Sequence, residues 1–563
     1  MSTNHYVALP DSSRVPLGGA RVIGPADPRA PLTVTVYLRR DPDAPPRPDV
    51  YELAMQPPTR RTAPDDDAYA AVHRWRDTDL KAVEAFAGDH HLAVSNENPP
   101  ARSVQLTGTT EDVSNAFRVT LARYRYRDAD DNSRIYRGRE GAVNVPAGLS
   151  GIVTGVFGLD NRPIGANLLI RPAFTDLSLP IAEAVPGLPA GVFLPTDLET
   201  PYAYPAGTDG SGQCVAVLAF NGETDPGVPS GGYSADALRT YFAALGRPMP
   251  DITNVVIPNV GSTGNDPGRD DGGPLRLDST GEIMLDLAVV GSLAPKAKIV
   301  VYFSKFTEQG WVDVIHRIVT DTVNRPSVIS CSYGNAEEGR TVWTPGAIAS
   351  ADAAFANAAE KFISICCASG DDGSKDQALD ERAHADFPAS SPHVLGVGGT
   401  RLVVDQGQVV SETVWDDGAG NRTGGGISKL FPVPPFQDGA EVPPSANPPH
   451  AQGRGVPDVA ALAAGSTGVV VPSIDGEHVL VTGGTSAAAP MWSALLARVN
   501  QGLPGAAQVG FLNPLLYAKL ATGVLRDVTK GSNGAYFAGK GWDACTGLGT
   551  PGGRQLLDGL KAL

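Results

Sequence analysis

Cysteine is scarce in this chain of 563 residues: there are five, an odd number, and Cys366 and Cys367 fall inside the apolar run from Phe362 to Ala368. That scarcity argues against a disulfide framework and predicts buried free thiols. Basic charge is also short. Lys and Arg number 45 against 61 Asp and Glu, a formal net charge of -16, which argues against nucleic acid or an anionic membrane as partner. No apolar run approaches the length needed to cross a bilayer. Met1 to Arg14 lacks the charged start and apolar core of a secretory signal. What is abundant is glycine (65) and proline (48), without a short period, so turns and loops are expected rather than collagen or disorder. The length predicts two or three domains.

Leu32, Val34, Val36 and Leu38 alternate with Thr33, Thr35, Tyr37 and Arg39, which predicts a half-buried strand. Helices are expected at about 67–76 and 79–87, a strand at 103–107, a helix at 111–117 capped by Thr109 or Thr110, and a strand at 118–126. These make a small α+β unit running to about Arg171. The breaker-rich stretch Pro180 to Pro195 is the expected boundary.

Beyond it, apolar strands alternate with helices. Strands are expected at 213–220, 254–260, 298–303, 327–333, 362–368 and 393–397, with helices at 235–245, 281–293, 311–321 and 348–359. Such alternation implies a parallel sheet covered on both faces, with sites at the carboxyl ends of its strands.

Gly483-Gly484-Thr485-Ser486-Ala487-Ala488-Ala489-Pro490 opens an apolar helix, with Thr485 as its expected cap. Ser486 then sits at a helix N-terminus, where unpaired N–H groups and the helix dipole favour developing negative charge. By local pattern alone a serine that helps cap a buried helix is equally open. The string resembles the nucleophile motif shared by subtilisins and sedolisins. A subtilisin takes its base from a histidine, usually followed by glycine, and none of the nine histidines here has glycine after it.

Carboxylates offer the other base. Gly281 to Leu293 is apolar nearly all round and should be buried, yet Glu282 and Asp286 lie four apart on one face. Two inward carboxylates are costly unless they share a proton or find donors. Ser279-x-x-Glu282 also matches a capping box, which would account for Glu282 but not for Asp286. A second buried acid one turn on is what a general base and its orienting partner require.

Gly-Glu-x-x-Leu-Asp together with Gly-Gly-Thr-Ser-Ala resembles the sedolisin family of serine-carboxyl peptidases, closest to its kumamolisin branch. Ser330-Cys331-Ser332-Tyr333-Gly334, Gly424-Gly425-Gly426 and Gly453-Arg454-Gly455-Val456-Pro457-Asp458 extend the likeness. The resemblance implies a subtilisin-like α/β domain at 198–563 behind a ferredoxin-like α+β propeptide at 1–171, with an activation linker at 172–197. It implies Ser486 as nucleophile, Glu282 as base and Asp286 as its orienting partner. Asp371, in the Gly370-Asp371-Asp372-Gly373 turn, is implied as a protonated donor to the oxyanion. Tyr333 stands where kumamolisins carry tryptophan, and Ala219 where they carry a glutamate.

The resemblance also implies one structural calcium ion, held by Asp527 and Asp543 through side chains and by Val528, Gly539 and Gly541 through carbonyls, a hard-oxygen set. By sequence alone Asp527 and Asp543 read as surface turns, since no EF-hand spacing is present. The function expected is an acid-acting endopeptidase made as a zymogen, secreted and monomeric, with protein or peptide substrates and its own propeptide as inhibitor. The alternatives are a histidine-dependent subtilisin-like protease and a catalytically idle binding protein on the same scaffold.

Overall fold

The computed structural model describes residues 5–127, 133–164, 166–167, 179–181, 188–189, 191–221, 231–267, 279–338, 343–378, 380–418 and 420–563. In the N-terminal unit, strands β1 (Pro31–Leu38), β2 (Ala93–Asn98), β3 (Ser103–Thr109) and β4 (Val153–Phe157) form an antiparallel sheet in the order β2-β3-β1-β4. Helix α1 (Asp77–Asp89) precedes β2, and α2 (Thr110–Phe117) follows β3. This βαββαβ order is ferredoxin-like. Thr109 is the cap of α2, its hydroxyl accepting from the Asp112 N–H at 3.1 Å. Leu32, Val34, Val36 and Leu38 enter one core with Val83, Phe86, Val113 and Phe117.

The other face of β1 is buried too, which corrects the half-buried expectation. Thr35 and Tyr37 both donate to Asp313, each at 2.7 Å, because the second domain covers the face that alternation assigns to solvent. The expected linker, 172–197, lies outside the described residues at 172–178, 182–187 and 190.

The second domain is built on β5 (Cys214–Phe220), β6 (Asp251–Val256), β7 (Lys298–Ser304), β8 (Val328–Cys331), β9 (Ser364–Ala368), β10 (Leu395–Asp405), β11 (Gln408–Val414) and β12 (Val459–Leu462). They form one eight-stranded sheet in the order β6-β7-β5-β8-β9-β10-β11, with β12 also pairing β10. All pairings are parallel except the β10–β11 hairpin.

Successive residues of β5 feed two cores. Val215, Val217 and Ala219 face α3 (Ala235–Ala244), α4 (Ser279–Leu293) and α7 (Thr485–Gly502); Ala216, Leu218 and Phe220 face α5 (Glu308–Val319) and α6 (Pro345–Glu360). A parallel sheet covered on both faces follows, with all of β5 buried. All five cysteines are buried free thiols.

Helix α4 is the costly element. Ile283, Leu285, Leu287, Val289, Val290 and Leu293 are fully buried, each contributing roughly 1.5–3 kcal/mol. That offsets the several kcal/mol that burying an ionised Glu282 or Asp286 would cost.

Candidate active site

Helix α7 begins at Thr485, after Gly484 at φ 95°, a left-handed turn open to a residue without Cβ. Thr485 is therefore not the cap that the sequence suggests. Its N–H and its hydroxyl both go to Asp371 Oδ1, at 2.8 and 2.7 Å. Ser486 follows, fully buried, and its hydroxyl donates to Glu282 Oε2 at 3.1 Å, with the Ser332 carbonyl as a second acceptor at 3.3 Å. Glu282 is thus turned into the site, which sets aside the capping-box reading. Its Oε1 has no partner among the described residues.

Asp286, one turn along α4, accepts the Ser332 hydroxyl at Oδ1, 2.7 Å away, and its Oδ2 has no partner among the described residues. Asp371 leaves the carboxyl end of β9 in the turn after Ala368. Gly424 holds that turn from below: its N–H reaches the Gly370 carbonyl at 2.6 Å, and a Cβ there would stand 2.0 Å from the Ser369 carbonyl oxygen. Oδ2 of Asp371 remains without a partner among the described residues.

All three carboxyls are pushed up. Burial raises Glu282 well above the usual range, and Asp286 and Asp371 add to it while the Ser486 hydroxyl opposes. Burial does the same to Asp286, opposed by the Ser332 hydroxyl. Asp371 is pushed up to about 8 by burial, against the two donors from Thr485. A neutral Asp371 is a hydrogen-bond donor, and an ionised Glu282 is a proton acceptor. The four predicted residues are brought together on α4, α7 and the β9 turn.

Sequence reasoning missed Ser332 and the second role of Thr485. It also missed the buried pair Asp376 and Asp386, each pushed well up by burial; Asp386 packs so close to Gly334 that a Cβ there would meet Oδ1 at 2.0 Å. Residues 371 and 376 are five apart, but 386 comes from another strand, so no local pattern joins them. Tyr333, in the place of tryptophan, is buried edge-on against Phe220 at 5.1 Å. Ala219 is fully buried.

Residues 18–162 match the family described as Pro-kumamolisin, activation domain, and residues 264–524 match the Subtilase family. Kumamolisin of Bacillus sp. (strain MN-32) is 40% identical over 546 residues, covering 95% of this chain and 93% of that one. The chain belongs to the sedolisin family of serine-carboxyl peptidases. Tripeptidyl-peptidase sed5 of Aspergillus fumigatus is 26% identical, covering 99% of this chain and 97% of its own. Pseudomonas sedolisin, complexed with pseudo-iodotyrostatin, superposes with a TM-score of 0.54 at 24% identity, over 67% of this chain and 99% of that one, a likeness of fold. As a sedolisin-family member with its activation domain attached, this chain is the zymogen of a serine-carboxyl peptidase.

The tail residues make contacts of their own. Asp527 Oδ2 accepts the Gly541 N–H at 2.9 Å, and Asp543 Oδ2 accepts the Gly539 N–H at 3.1 Å, so the two carboxylates strap one glycine loop from both ends. Asp543 is buried, forms no ion pair among the described residues, and is pushed up to about 6 by that burial. Four neutral donors reach Asp543, the N–H groups of Gly539, Cys545 and Thr546 and the Thr546 hydroxyl, so a hard cation shared with the exposed Asp527 would supply the missing countercharge. Val528 is buried next to Asp527. No helix among the described residues is long and apolar enough to cross a membrane.

Proposed function

We propose that the mature form hydrolyses peptide bonds inside protein chains at acid pH. Ser486 Oγ attacks the scissile carbonyl and Glu282 takes its proton, with Asp286 holding Glu282 in place. Protonated Asp371 donates to the oxyanion. Glu282 then returns the proton to the leaving amine, and water attacks the acyl-enzyme by the same route. The observation that carries this is the 3.1 Å hydrogen bond from Ser486 Oγ to Glu282 Oε2. A base that must be ionised and a donor that must be protonated coexist only between their titrations, and that window falls in acid once departure of the N-terminal unit relieves the burial that raises all three carboxyls in the closed chain.

In the closed chain the same burial works against catalysis. A Glu282 held neutral is no base, which supports silence until the N-terminal unit leaves. Ala166–Asn167 pair antiparallel with Gly334 and Tyr333, on the strand that follows Ser332, which favours residues 1–171 as an inhibitor whose exit segment lies along the substrate edge. Substrates are then extended segments of protein, and cutting falls in 172–197. Asp527, Asp543 and the carbonyls of Val528, Gly539 and Gly541 would hold one calcium ion, which pins the C-terminal loops and supplies no chemistry. An acid range suits work outside the cell, as a monomer.

Glu282→Gln and Ser486→Ala test the reading together. Both should abolish hydrolysis with the fold intact, and Ser486→Ala should leave the linker uncut at low pH. Activity surviving in folded Glu282→Gln would point to another base; no activity in the folded parent would mean an idle scaffold.

A further inference from the structure

Ser332 sits where the chain leaves the parallel sheet, between the end of β8 at Cys331 and the short strand Tyr333–Ala336. It is fully buried and touches the site three ways. Its hydroxyl lies 2.7 Å from Asp286 Oδ1 and 3.3 Å from the Ser486 carbonyl, and its own carbonyl accepts from Ser486 Oγ at 3.3 Å.

The Ser486 carbonyl is open for this contact because of Pro490. Within a helix that carbonyl bonds to the N–H four residues on, and position 490 has none to give. The proline inside α7 thus exposes an acceptor where Ser332 can reach it.

One hydroxyl hydrogen faces two acceptors. When Asp286 is ionised, the hydrogen points to Oδ1. When Asp286 carries its proton at Oδ1, that O–H donates a hydrogen bond to Ser332 Oγ and the hydroxyl hydrogen turns to the Ser486 carbonyl. Nothing else among the described residues donates to Asp286, since Oδ2 is without a partner.

We propose that Ser332 is a positioning residue for the Glu282 and Asp286 pair, fixing Asp286 and tying its state of protonation to the peptide of Ser486. It rests on the reading of Ser486 and Glu282 as nucleophile and base. The titratable groups facing the pair are Asp371 from the β9 turn and Cys331 and Tyr333 on either side of Ser332. Helix α7 places the Ser486 hydroxyl against Glu282. None of these is basic, and among the described residues Ser332 is the one donor to Asp286.

The test is the pH profile of kcat and kcat/KM for acid-matured parent, Ser332→Ala and Ser332→Thr on an unstructured protein substrate. Loss of a donor to a buried carboxylate leaves the pair holding its protons to higher pH. The acid limb of kcat/KM should rise by about one pH unit and kcat should fall about tenfold. KM should hold, since the Ser332 carbonyl remains, and the threonine should restore the parent limb.

An acid limb unmoved in Ser332→Ala overturns the proposal, whatever happens to the rate, because a merely structural serine lowers activity equally at every pH. If the alanine chain does not fold, Ser332→Cys keeps the volume and weakens only the donor; a displaced limb then supports the proposal and an unmoved one overturns it. A parent inactive at every pH would instead sink the protease reading itself.

Discussion

Thr485 gives Asp371 Oδ1 two hydrogen bonds, from its N–H at 2.8 Å and its hydroxyl at 2.7 Å. The residue beside the nucleophile thereby fixes the carboxyl that is to face the oxyanion, and leaves Oδ2 without a partner among the described residues. Both bonds favour the charged form, so they pull against the burial that, in the closed chain, pushes Asp371 up to about 8. Thr485→Val removes one of them and raises the pKa further. Asp371 then stays a donor to higher pH, and the alkaline limb of kcat/KM should move up by about one unit. A limb that stays or moves down would break the link between Asp371 and that limb.

Activation should depend on His316. This side chain of α5 is buried under the N-terminal unit beside Tyr37, with ring centroids 5.0 Å apart. Burial, then Arg102 and His73, hold it down to about 3 from 6.5. The undocked ring takes a proton as pH falls through 6.5, and the docked ring does not until about 3, so docking weakens steadily across that span. His73 is held down by burial in the same sense. Asp313 works oppositely: burial raises it from 3.8 to about 6, so its proton favours docking. The larger displacement is that of His316. His316→Phe should need a lower pH for half-maximal conversion to the cut form, followed by gel; an unchanged midpoint would refute the sign.

Chelation should cost stability and leave the chemistry alone. Asp543 is pushed up by burial when no cation balances it, so a bound ion favours its charged form and is lost as protons compete. A chelator near neutral pH should lower the Tm of the Ser486→Ala chain by a few degrees, the size expected for a ligand near a hundredfold its Kd. The effect should shrink at about pH 4 and vanish in Asp543→Asn. A chelator-insensitive Tm would remove the calcium site.

The carboxylate pair was legible because helix periodicity puts residues 282 and 286 on one face, and burial of that face follows from its apolar neighbours. The parallel sheet was legible for a similar local reason. Thr485 was not, because a threonine before a helix reads as a cap until its real acceptor arrives from 114 residues away in Asp371. Thr35 and Tyr37 failed likewise. Alternation reports one apolar face and is silent on whether another domain covers the polar one. Strand β6 also starts earlier than the apolar pattern suggests, at Asp251, since its pairing with β7 rather than its own hydropathy sets its ends.

The most direct measurement is cleavage of an unstructured protein from about pH 2 to about pH 8 after acid incubation, comparing the parent with Asp371→Asn. A site of three carboxyls predicts parental activity confined to acid. It also predicts a loss of about tenfold in the variant, since a neutral amide keeps an N–H for the oxyanion but is a weaker donor than a carboxylic acid. Activity that peaks near neutral pH and is indifferent to Asp371→Asn would contradict both the base and the donor assigned here.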